Sequence, residues 1–126
     1  MKNIIVSVIL FAAIFIISLV SVNYLNKTCA SMLLVNTQIE NSIKSKSWED
    51  AEKHFNTFSK QWEEHSNLTS VFIHHMEIDD ISMELEKLSQ SIKYKDAKDA
   101  MESTHSLRFL LEHIMDLEKI NVQNVF

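Results

Sequence analysis

Not one glycine or proline occurs in the 126 residues of this chain. Glycine supplies the positive φ of tight hairpin turns, and proline is the residue that stops helices. A chain with neither is poorly equipped for hairpin-rich β structure and well suited to long helices joined by short polar links. The expected class is all-α, and the length allows one modest domain.

The second constraint is an uncharged run at the amino end. Ile4 to Val22 contains only three serines among apolar residues. Extended to Leu25 it makes about 33 Å of helix at the usual rise, enough for a hydrocarbon core of about 30 Å. Each serine can return its hydroxyl to a carbonyl one turn back. A cleaved signal peptide is the competing reading, but its apolar stretch is expected to be about 7–15 residues, and this one is longer. The one small-residue site, Thr28-Cys29-Ala30, follows a polar stretch from Asn23 to Lys27. Thr28 and Asn26 do not fit the positions before Cys29 that a lipoprotein signal needs. We therefore expect residues 1–26 to be a transmembrane signal-anchor helix and residues 27–126 an extracytoplasmic helical domain. The expected setting is the cell membrane, crossed once. Lys27 weakens the charge asymmetry provided by Lys2, but a short amino terminus before a signal-like helix favours sending the carboxyl-terminal domain out.

Beyond the run, apolar residues recur at helical spacing. Leu25, Cys29, Met32, Asn36, Ile39 and Ile43 alternate steps of four and three, so the first helix is expected to continue unbroken into the domain. Ser45-Lys46-Ser47 interrupts it, with Ser47 placed to cap the next helix and Glu49 and Asp50 in its first turn. That second helix carries Trp48, Ala51, Phe55, Phe58 and Trp62 and is expected to break at Ser66-Asn67. A third runs from about Leu68 to Ile92, with Val71, His74, Ile78, Ile81, Leu85 and Leu88 on its core face. Lys93-Tyr94-Lys95 ends it, and Asp96 with Asp99 opens a fourth, striped by Ala97, Ala100, Thr104, Leu107, Leu111 and Ile114. From Asn121 to Phe126 the pattern is lost, and that tail is expected to lie across the end of the bundle. Four stripes with short links describe an antiparallel up-down four-helix bundle whose first helix is also the anchor.

Function is far less constrained. Net charge is −5, and no run of Lys or Arg exists to grip phosphates, so nucleic acid is not an expected partner. Without glycine there is no phosphate-cradling loop, and no nucleophile elbow or paired-cysteine site is present, so an enzyme is not expected. Cys29 is the sole cysteine and reads as a small apolar helix residue. The one chemical constellation is Ile73-His74-His75-Met76-Glu77-Ile78-Asp79-Asp80. His75 and Asp79 lie one turn apart, and Glu77, with His113 from the fourth helix, would complete a divalent-metal set. The plainer reading is a His–Asp pair that fixes helix packing. No other cofactor is expected.

Several of these residues carry a resemblance. Trp48-Glu49-x-Ala51 and Trp62 are followed by Phe72-Ile73-x-His75-x-Glu77-Ile78-Asp79-x-Ile81, then by Leu110-Leu111-Glu112-His113-Ile114, Glu118 and Asn124-Val125. In order and spacing the chain resembles the DUF4363 proteins, small membrane-anchored chains of Clostridia and related Firmicutes, and the likeness spans nearly its whole length. That resemblance implies a class and a location but no activity. The expectation is thus a non-enzymatic envelope protein that acts through contacts with the bilayer and with another membrane or envelope protein, or with itself through the first helix. A metal-binding bundle and a ligand-sensing bundle that borrows a partner's output are the alternatives.

Overall fold

The computed structural model describes residues 1–70 and 73–125, with side chains at all of these except 69 and 120–125. They form four helices: α1 (Lys2–Lys44), α2 (Trp48–Thr69), α3 (His75–Lys93) and α4 (Ala97–Val125). Among the described residues there is no strand.

α1 is one continuous helix of 43 residues with two environments. From Ile4 to Val20 every large apolar side chain except Phe15 is exposed. From Leu25 onward the stripe expected from spacing is buried: Leu25, Cys29, Met32, Asn36, Ile39 and Ile43 are each at most 3% exposed. Nothing breaks the helix between the two halves, because no residue there removes a backbone donor or relaxes φ. The apolar half is a candidate membrane anchor or signal sequence.

The other helices close a bundle around the second half. α1 packs against α2 and α4, and α3 packs against both of them, so that α1 faces α3 and α2 faces α4 across the core. Short links make neighbours antiparallel. Phe58, Ile81, Leu88, Leu107 and Leu111 are fully buried, and Trp62 is nearly so. Each such side chain contributes roughly 1.5–3 kcal/mol from apolar burial. The indole N–H of Trp62 reaches across to the Ser82 hydroxyl at 3.2 Å, which fixes α2 against α3.

Two links are built alike. Lys46 and Lys95 both adopt φ of 56°. At the first, Lys46 N–H donates to Ile43 O at 3.0 Å and Ser47 N–H to Ser42 O at 2.9 Å. At the second, Lys95 N–H donates to Ile92 O at 3.1 Å and Asp96 N–H to Ser91 O at 2.8 Å. This is the left-handed C-terminal closure that normally uses glycine. With none available, lysine carries the strain of the left-handed conformation.

Several local expectations need correction. The break at Ser66-Asn67 does not occur, since α2 runs on to Thr69. Ser and Asn are only mildly unfavourable within a helix, and packing overrides them. α3 therefore starts at His75, not Leu68, and His74 is its exposed N-cap residue rather than part of the core. Val71 lies outside the described residues. Ser47 occupies the N-cap of α2 but makes no side-chain capping bond. At the fourth helix, Asp96 Oδ1 does accept the Asp99 N–H, at 3.1 Å. The backbone of the tail stays helical to Val125 instead of crossing the bundle end.

Candidate functional site

Two polar features stand out, one inside the bundle and one on it. The inner one lies between α1 and α4. Asn36 is completely buried and its amide donates to Thr104 O at 2.8 Å. One turn on, the buried Glu40 carboxylate is bonded by the Arg108 guanidinium, by Lys44 at 3.2 Å and by His105 Nε2 at 3.4 Å. Burial pushes the Glu40 carboxyl upward, but the Lys44 hydrogen bond and the Arg108 charge outweigh it, so it sits below the ordinary carboxylate range. A carboxylate held by a guanidinium, an ammonium and an imidazole is fully engaged, and this cluster fixes α4 on α1. Sequence reading did not find it: Glu40 looks like surface charge, and its partner is 68 positions away.

The metal set inferred from spacing does not come together. His75 and Asp79 are exposed on the outer face of α3, while Glu77 turns half-buried away from them. At 100° per residue, Glu77 stands about 200° around the helix from His75, so the three cannot converge. His113 lies on the surface of α4, stacked on Phe109 at 6.0 Å between ring centroids. Among the described residues no group of three His, Cys, Asp or Glu side chains could hold a metal ion. Cys29 is buried, and that burial raises its thiol to about 11, so it stays protonated and a poor nucleophile near neutral pH.

The outer feature is the groove between α3 and α4. Two adjoining hollows of about 520 and 510 Å³ run along it and share Glu84, Glu102 and Ser106. Met83 and Phe109 stand in it 56% and 66% exposed. Around them are the carboxylates of Asp80, Glu84, Glu86, Asp99 and Glu102, with Lys87 as the one lysine in the lining. Lys87 donates to Glu84 at 2.8 Å, a hydrogen bond that raises its ammonium above the usual range. Five carboxylates against one ammonium leave the groove at −4, most of the chain's −5. Large apolar side chains thus stand exposed between carboxylates on one surface.

No curated protein and no solved structure matches the chain. A family described as a domain of unknown function, DUF4363, matches residues 19–125. The matched stretch takes in the whole bundle and leaves out most of the exposed apolar half of α1. The chain belongs to the DUF4363 family.

Proposed function

We propose that this protein is a membrane-anchored, non-enzymatic bundle that holds another envelope protein. In this reading α1 crosses the cell membrane once, residues 27–126 form the extracytoplasmic domain on its outer side, and the α3–α4 groove is the contact surface. The observation that carries the reading is the groove, where Met83 and Phe109 are exposed amid most of the chain's net negative charge. The partner it suits is an amphipathic helix with lysines or arginines flanking its apolar stripe. The exposed apolar half of α1 supports the anchor.

Tagged full-length protein is to be cross-linked in cells and purified beside a Met83→Glu/Phe109→Glu variant. Both positions are exposed, so the bundle is expected to tolerate the change. The expected result is a small set of proteins recovered with the native chain and lost with the variant. Recovery of nothing above background, or of the same proteins with both, would refute the groove as the working surface. Orientation is read separately by alkaline phosphatase fused after Phe126, which is active only outside the cytoplasm.

A further inference from the structure

We infer that the bundle does not stand clear of the membrane but is seated in it, with its α1-exit end in the phospholipid headgroup–acyl boundary. The inference rests on the anchor reading above and concerns how deep the domain sits.

The argument is one of levels along the bundle axis. Tyr24 of α1 is hydrogen-bonded to His65 of α2, and Ser31 meets Gln61 at 3.4 Å, so the two helices run antiparallel. Leu68 lies three residues past His65, about 4.5 Å further at the helical rise, and so is level with Ser21. Trp62 bonds to Ser82 between α2 and α3. Leu68 is six residues beyond Trp62 and Met76 six before Ser82, which puts Met76 at the same level. On α4, Thr104 is bonded by Asn36. Lys119, fifteen residues further, again falls level with Ser21. One plane therefore passes through Ser21, Leu68, Met76 and Lys119, at the end of the apolar run of α1.

Exposed apolar side chains also stand at that plane. Leu68 is 57% exposed and Met76 74%, both large apolar side chains. Tyr24, an aromatic with a polar tip, sits just above, where such rings favour a membrane interface. α4 continues as helix to Val125, about 31 Å beyond Thr104, which brings its backbone level with Phe15. From Ile120 to Val125 its sequence has no charged residue. Phe15 is the one large side chain of Ile4–Val20 that is half-buried rather than exposed. The last turns of α4 thus reach the level of the apolar half of α1, and its last charge, Lys119, stands level with Ser21, near the end of the apolar run. If α1 spans a bilayer, these turns share its depth, and Leu68 and Met76 meet the lipid boundary.

The test uses the full chain in phosphatidylcholine–phosphatidylglycerol vesicles. In a Cys29→Ala background, single cysteines replace Ile14, Leu68, Met76, Gln123 or Tyr94 and carry an environment-sensitive fluorophore. Nitroxide-labelled lipids then quench by depth, and circular dichroism checks that each labelled chain keeps native helicity. Ile14 reports the anchor alone. The expected result is quenching of Leu68 and Met76 sites by shallow nitroxides and of Ile14 and Gln123 sites by deep ones. The Tyr94 site, at the far end of the bundle, stays unquenched. Quenching at Ile14 with Leu68, Met76 and Gln123 all as dark to lipid as Tyr94 overturns the seating and leaves the anchor intact. Absence of quenching at Ile14 overturns the anchor and the seating together.

Discussion

The buried amide at Asn36 should destabilise the bundle relative to a leucine of the same shape. Asn36 is wholly enclosed; its Nδ2 donates to Thr104 O, but its Oδ1 accepts no hydrogen bond from any described residue. Asn36→Leu removes one hydrogen bond, a loss of about 1 kcal/mol net. It also removes a buried, unsatisfied acceptor whose desolvation costs about 1–3 kcal/mol. Thr104 O keeps its place in the α4 hydrogen-bond ladder, so it is not stripped bare. Leucine adds apolar burial of roughly 1.5–3 kcal/mol, part of which the site must yield in packing adjustment. The balance is a gain of about 2 kcal/mol, or a rise in Tm of roughly 8–16 °C for a domain of this size. Thermal melts of the full chain in detergent micelles, followed by circular dichroism, measure it. Asn36→Asp is the opposing control, since a buried carboxylate that cannot donate to Thr104 should lower Tm. A fall in Tm for Asn36→Leu would refute the reasoning and make the amide a net stabiliser.

Four further outcomes follow from the local structure. Glu40→Gln should cost about 1–2 kcal/mol at neutral pH, a figure held down because Arg108, Lys44 and His105 are themselves 37–64% exposed. The folded carboxyl lies below its ordinary value, so its stabilisation is present above pH 4.5 and is lost as pH falls through the lowered folded value. The gap in Tm between native and Glu40→Gln chains should accordingly close on acidification. Lys46→Gly and Lys95→Gly should each stabilise by about 1 kcal/mol in urea unfolding, by removing the left-handed strain at φ of 56°. Asp96→Ala should cost about 1 kcal/mol through the lost bond to Asp99 N–H. Ser47→Ala should stay within about 0.5 kcal/mol, because its hydroxyl caps nothing.

The core was legible in the residues because burial in a helix is periodic. The stripe from Leu25 to Ile43 and the one from Ala100 to Ile114 are both buried, and Phe58 and Trp62 are at the centre where their spacing put them. Boundaries were harder to read. Ser66 and Asn67 have the chemistry of a break, yet the contact of α2 with α1 carries the helix through them. The failure at His75, Glu77, Asp79 and His113 has a different cause. Spacing within α3 described a pair one turn apart, but a metal site needs ligands to converge from several helices, and Glu77 points the wrong way round. The α3–α4 groove left a fainter trace: Met83 on α3 and Phe109 on α4, both off the core stripe. Whether two such off-stripe residues share one groove depends on how α3 and α4 rotate about their own axes.

α1 gives the proposed function a mechanical consequence. Only the four residues from Ser21 to Tyr24 separate the exposed apolar run from Leu25, the first buried core residue, and the helix is continuous through them. A kink in a helix needs a proline, a bulge or a group inserted into the hydrogen-bond ladder, and this segment contains no proline or glycine to start one. The bundle therefore cannot pivot on its anchor as a domain on a loop can. In the proposed setting, rotation of α1 about the membrane normal turns the α3–α4 groove with it, through the same angle. A partner helix meeting that groove would be held at a fixed height and azimuth relative to its own membrane segment. This is the arrangement in which a shallow groove gains most, since tethering both chains to one surface raises their effective concentration without adding a contact.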